Sequence, residues 1–183
     1  MGLCLRLLET GRLVYYQAPL DSALKYEILP KDDPITENTP SPATLVLIED
    51  NAGDVYLLRH ALDQHRSEYY LKVLRDGEEA MAFCEQCGRD DEPKPCVMVL
   101  DLHLPKYDGL SVLREIRGSP ALVHVKVVAW TTVGSPAEER EVRELGVRLY
   151  RAKPLELDEW FTLAGEILDI CHEHLDPGHL RHA

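Results

Sequence analysis

Five times between Thr44 and Leu175, a short apolar run is followed by a segment with helical spacing. "TLVLI" precedes "VYLLRHALDQH", in which Val55, Leu58 and Leu62 share one face. "YYLKVL" precedes "DGEEAMAFCEQC", and "CVMVL" precedes "GLSVLREIRG", with Leu110, Leu113 and Ile116 inward. "VKVVAW" precedes "SPAEEREVRELG", and "VRLYRA" precedes "LELDEWFTLAGEILDICHEHL". Apolar residues recurring every three to four positions mark helices, and unbroken short runs mark strands covered on both faces. Strict alternation of the two predicts an α/β fold: a doubly wound, five-stranded parallel sheet with helices on both faces. The fourth helix carries its own punctuation, with Ser135 as N-cap, Pro136 in the first turn and Gly146 at the close.

The stretch "LPKDDPITENTPSPA" breaks this pattern and reads as a linker. It sets off Met1–Leu29, which holds a strand-like "RLVYYQA" and a helix-like "LDSALKYEIL" and is too small to fold alone. The expected organisation is an N-terminal extension and Pro-rich linker over 1–43, one domain over 44–175 and a tail over 176–183. A net charge of −12 with no Lys/Arg cluster argues against a nucleic-acid partner. The apolar runs are too short to span a bilayer, and Met1–Leu8 lacks the build of a signal peptide. A cytoplasmic protein without a membrane partner is expected. Of the five cysteines, Cys84, Cys87 and Cys96 could form a metal clip, but no fourth ligand lies nearby. Cys84 and Cys87 one helical turn apart, with Cys96 opening a strand, is the plainer reading. The four histidines of "CHEHLDPGHLRHA" read as a solvated tail, with metal binding the lesser alternative.

In an open α/β sheet the site lies beyond the carboxyl ends of the strands. There the sequence places Glu49 and Asp50 after the first run, Asp101 after the third, Thr131 and Thr132 after the fourth, and Lys153 with Pro154 after the fifth. Carboxylates that converge repel one another unless a cation sits among them. Few oxygen ligands suit Mg²⁺, and a lysine beside a hydroxyl suits an anion with several oxygens. The chemistry this describes is phosphoryl transfer to or from a carboxylate. Taken singly, Asp50 would be a helix cap, Lys153 a solvated lysine, Thr131 a strand residue and Tyr150 or Trp130 core packing. It is their joint occurrence in order that points to a site.

The pieces "LVLIEDN", "VMVLDLHLPKYDGL", "VVAWTT" and "YRAKP" together resemble the receiver domain of bacterial two-component response regulators. The nearest likeness is to stand-alone regulators paired with phytochrome-type sensor histidine kinases. The resemblance implies a flavodoxin-like, CheY-like topology, (βα)5, and a Mg²⁺ cofactor. It implies Asp101 as phosphoacceptor and Asp50, Glu49, Asp101 and the His103 backbone carbonyl as metal ligands, Glu49 standing where aspartate is commoner. It makes Thr131 and Lys153 phosphoryl-binding groups, Thr131 and Tyr150 the switch pair, and Lys153–Pro154 a bond often cis in the family. The side chain of His103 is expected at the rim, with Thr132 and Val133 lining the mouth.

With no effector module after Leu175, the expected output is a surface of the domain itself. The partners implied are a sensor histidine kinase or histidine phosphotransfer protein, and a second copy of the chain. Homodimerisation is expected through the fourth helix, fifth strand and fifth helix, where Leu149, Trp160 and Phe161 lie among mixed charge. Such a protein catalyses its own phosphorylation and dephosphorylation but is not a turnover enzyme. The alternative is a phosphorylation-independent, receiver-like adaptor. A haloacid-dehalogenase-type phosphatase would want an acid two residues after Asp101, where His103 stands. A nucleotide carrier of the same topology would want a phosphate loop in place of the acidic "EDNAGD".

Overall fold

The computed structural model describes residues 2–7, 13–18, 43–65, 67–87 and 94–175. They fall in two compact units, Met1–Thr39 and Pro40–Ala183. In the first, β1 (Gly2–Leu7) and β2 (Leu13–Ala18) pair antiparallel, Gly2 opposite Ala18 and Leu7 opposite Leu13. The apolar start of the chain is thus a strand, which the sequence pattern did not announce. The proposed helix "LDSALKYEIL" and the linker lie outside the described residues.

The second unit alternates strictly: β3 (Ala43–Ile48), α1 (Ala52–Asp63), β4 (Tyr69–Leu74), α2 (Gly77–Gln86), β5 (Val97–Asp101), α3 (Gly109–Gly118), β6 (Lys126–Thr131), α4 (Pro136–Glu144), β7 (Leu149–Ala152) and α5 (Leu157–Leu175). The five strands are parallel in the order β4-β3-β5-β6-β7, as expected. The period-two pleat sends alternate side chains to opposite faces. Leu45, Leu47, Val97, Val99, Val128 and Trp130 pack against α1 and α5. Val46, Ile48, Met98, Leu100, Val127 and Ala129 pack against α2, α3 and α4. From β3 the chain goes outward to β4 and then back across to β5. The loops after β3 and β5 therefore diverge and open a crevice, and Glu49, Asp50 and Asp101 stand at its lip.

The helix boundaries follow the caps. Asn51, Asp76, Asp108 and Ser135 each accept a backbone N–H with their side chains at the starts of α1 to α4. Gly146 ends the α4 segment with φ 70°, the left-handed conformation a β-carbon disfavours. Arg117 ties two connecting segments to the end of α3. Its guanidinium donates to the carbonyls of Leu145 (2.8 Å), Gly146 (3.0 Å), Val125 (3.0 Å) and Val123 (3.4 Å).

The plainer reading of the cysteines holds, with Cys84 in α2, Cys87 at its end and Cys96 just before β5, and one expectation, for Trp160, is corrected. Cys96 and Cys171 form a disulfide, Cα to Cα 5.2 Å, joining the start of β5 to the end of α5. Cys96 therefore packs on the α1/α5 face of the sheet while Cys84 packs on the opposite face, and the two cannot share an ion with Cys87. Burial also pushes the Cys84 thiol up to about 12, far from the thiolate a metal needs. Trp160, offered for a surface, is 2% exposed and meets Trp130 edge to face, at 5.6 Å between centroids. It belongs to the inward stripe with Leu163, Ala164 and Ile167. Of the tail histidines, His172 is exposed on α5, and the residues from 176 onward lie outside the described set. Among the described residues, no helix is long and apolar enough to cross a membrane.

Candidate functional site

Asp101 ends β5 at 2% exposure, so its charge needs partners within the protein. It has two. One carboxylate oxygen accepts the backbone N–H of His103 at 2.9 Å, and the other accepts from Lys153 Nζ at 2.7 Å. Lys153 follows β7 and reaches back across the strand ends, its backbone N–H bonded to the Thr131 carbonyl. Its ammonium also donates to Glu49 (3.0 Å) and Asp54 (2.9 Å) and sits 5.6 Å from the centre of the Trp130 ring. Burial works against the lysine's charge, but the bonds to Asp101, Glu49 and Asp54 outweigh it and hold its pKa above the ordinary value. Glu49 is fully buried. Desolvation raises its pKa to about 7, with the Asp101 charge adding and the bonds from Lys153 and the Asn51 N–H pulling back.

The loop after Asp101 is held close by Gly109. A β-carbon there would collide with the Asp101 carbonyl and Leu102 Cα, so no larger residue fits at the start of α3. Lys106, in the left-handed region at φ 70°, turns the loop over α2 and pairs with Asp76 (2.8 Å) and Glu78 (2.6 Å). Thr131, 1% exposed, ends β6 beside Asp101, Trp130 being the residue that pairs with Asp101 across the ladder. The Thr131 hydroxyl is hydrogen-bonded to His103 Nδ1 at 2.9 Å. Tyr150 is half-buried on β7, and its hydroxyl donates to Glu138 at 3.1 Å. Burial and the Glu138 carboxylate both raise the Tyr150 pKa. Thr132 and Val133 are exposed at the mouth. Lys153–Pro154 is trans, since no peptide bond among the described residues is cis; trans is also the lower-energy isomer of an X–Pro bond.

The expected residues thus converge, and three contacts were not foreseen: the Asp54 link to Lys153, the His103 ring on Thr131, and Glu138 under Tyr150. Asp54 sits in the first turn of α1, where an acid is equally explained by the helix dipole. The His103 contact depends on loop conformation, and the Glu138 contact on how α4 packs beside β7.

Ligand oxygens of Glu49, Asp50 and Asp101 lie within 4.8 Å of one another. Glu49 Oε2 lies 2.8 Å from Lys153 Nζ but off the hydrogen-bonding direction, so a buried acceptor is left without a hydrogen bond. An orphaned buried oxygen among three carboxylates fits a small hard cation such as Mg²⁺. The family model for the response regulator receiver domain matches residues 45–164. The chain belongs to the response regulator receiver domain family. Receiver domains are signalling modules of two-component systems, and several solved structures similar to this one are phytochrome or bacteriophytochrome response regulators. Response regulator Rcp1 of a Synechocystis species is 35% identical over 130 residues, 70% of this chain and 88% of that protein. The phosphorylated cyanobacterial phytochrome response regulator RcpA is 31% identical with a TM-score of 0.65, over 72% of this chain and 95% of that one. The bacteriophytochrome response regulator AtBRR is 37% identical with a TM-score of 0.57, over the same shares.

Proposed function

We propose that this receiver domain is a phosphorylation switch that works as a stand-alone regulator. It takes a phosphoryl group on Asp101 from the phosphohistidine of a sensor kinase or histidine phosphotransfer protein. The observation that carries this is the Lys153 ammonium bonded to Asp101 at 2.7 Å inside the Glu49–Asp50–Asp101 cluster. One Asp101 oxygen attacks phosphorus, the bond from phosphorus to the imidazole nitrogen breaks, and its electron pair leaves with the ring. Lys153 meets one phosphoryl oxygen and the Thr131 hydroxyl another. Glu49, Asp50, Asp101 and the His103 carbonyl would hold Mg²⁺, which neutralises charge on the transferring group. The domain catalyses only its own phosphorylation and dephosphorylation. Receiver residues 44–175 carry this function, with 1–43 and 176–183 as extensions.

The test is intact mass after incubation with acetyl phosphate and Mg²⁺. The parent should gain one phosphoryl group and chelator should prevent it. Asp101→Asn should gain none, and uptake by that variant at the parent's level would end the assignment.

The output surface we assign to α4, β7 and α5, as a homodimer contact. This face keeps exposed salt links, Arg148 with Glu173 and Arg151 with Glu166, and Leu155 and Leu157 stand exposed before and at the start of α5. Sedimentation should show dimer formation favoured by beryllofluoride. A monomer at high concentration in both states would remove this interface.

A further inference from the structure

The ring of His103 bridges the two halves of the site. On one side its Nδ1 meets the Thr131 hydroxyl at 2.9 Å, and on the other its Nε2 faces a Glu138 carboxylate oxygen at 3.9 Å. The second oxygen of the same carboxylate accepts the Tyr150 hydroxyl at 3.1 Å. Because Nε2 faces a carboxylate, which only accepts, we assign the ring proton to Nε2, so that Nδ1 accepts the Thr131 proton. Thr131 has one proton to give. Phosphoryl oxygens are also acceptors, so that proton can serve His103 or a phosphoryl group on Asp101, but not both at once.

Tyr150 is equally committed in its present position. Its hydroxyl lies over Gly134, where a β-carbon would collide with it and would also approach the Thr131 methyl. Glu138 is fixed in turn by the first turn of α4, its N–H donating to the Ser135 hydroxyl at 3.1 Å. A continuous chain of contacts therefore runs from the floor of the site to the start of α4 and the edge strand β7.

We propose that His103 is a positioning residue, a latch that holds the Thr131 hydroxyl away from Asp101 and, through Glu138, ties that hydroxyl's position to the placement of Tyr150. Release of Thr131 to an anion on Asp101 frees the His103 ring, the Glu138 carboxylate loses its neighbour, and Tyr150 loses the geometry of its acceptor. This inference rests on the phosphoacceptor reading of Asp101.

Beryllofluoride with Mg²⁺ is the probe, and two readouts separate the parts. Binding is followed by tryptophan fluorescence, Trp130 lying under Lys153. The Tyr150 ring is followed by NMR at saturation, its signal assigned with Tyr150→Phe. His103→Ala removes a competing hydrogen bond and should bind beryllofluoride about three- to tenfold tighter than the parent. Its Tyr150 change at saturation should fall to about half or less of the parent's, and Glu138→Ala should lose as much. The double variant should lose no more than either single one, as members of one chain do. His103→Asn keeps an acceptor near the Nδ1 position but is too short to reach Glu138. It should bind beryllofluoride less tightly than His103→Ala, because Thr131 again has a competing acceptor, yet lose the Tyr150 change like His103→Ala. His103→Ala with parental affinity, or a full Tyr150 change in both single variants, overturns the latch. A parent that binds no beryllofluoride, or an Asp101→Asn variant that binds it equally, overturns the phosphoacceptor reading and the latch with it.

Discussion

Lys153→Met is expected to cost about 3–5 kcal/mol of stability in metal-free buffer above neutral pH. The lysine side chain is 10% exposed and is the cation that Glu49, Asp54 and Asp101 all contact. Methionine fills much of the same space over Trp130 but leaves three carboxylates facing one another, two of them buried. Mg²⁺ should restore part of the loss, because it supplies positive charge to the same oxygens, and the restoration should be larger than any gain the parent shows. Urea denaturation with chelator and with Mg²⁺ measures both quantities through the midpoint at constant slope. A Lys153→Met variant as stable as the parent without metal would show that the ammonium is not what holds the cluster together.

The second large effect is a dependence on pH that runs opposite to ordinary acid unfolding. Glu49 titrates at about 7 in the folded chain against 4.5 as an unperturbed group. Between these values the folded chain keeps a proton that the unfolded chain has released. Stability without metal is therefore highest on the acid side and falls as pH rises through this window, by as much as about 3 kcal/mol. Asp76, Asp108 and Glu159 have lowered pKa values and act with the opposite sign. Their contribution is complete above their ordinary values and is lost only at still lower pH, so it does not mask the effect. If Glu49 helps to hold Mg²⁺ as proposed, its ionised form would be the ligand, and stabilisation by the ion should grow with pH. The comparison is denaturation at about pH 5 and about pH 8, for the parent and Glu49→Gln. If the variant keeps the parent's slope, the dependence belongs to other groups.

These two residues also show what could be read from the chain. Alternation fixes where each strand stops, and a strand's last residue in a parallel sheet is delivered to one edge whatever its type. Asp101, Thr131 and the Glu49–Asp50 pair were legible for that reason, and Lys153 through the "AKP" that follows β7. The His103 ring and the Glu138 carboxylate were not, because which side chains meet depends on rotamers, on how α4 packs beside β7 and on turns such as the one Lys106 makes at positive φ. Trp160 was legible and misplaced: its spacing from Leu163, Ala164 and Ile167 is that of an inward stripe, and the aromatic was assigned to a surface instead. The Cys96–Cys171 pairing leaves no local trace, since the two are 75 residues apart and meet only once α5 lies along the sheet. The β1–β2 pair had a signal in two short apolar runs flanking Gly11, but only the second reads as a strand, the first being weighed solely as a signal peptide.

That disulfide gives the fifth helix a pivot. Cys171 is anchored to the end of the sheet remote from the acidic crevice, and Leu157, at the helix start, lies about 21 Å away along the axis at 1.5 Å per residue. A rod fixed near one end turns small rotations into displacement at the other. A tilt of about 3° about Cys171 carries Leu157 by about 1 Å while scarcely disturbing the packing around the anchor. The exposed leucines before and at the helix start are the outer end of that lever, and the covalent link determines which end of α5 can swing.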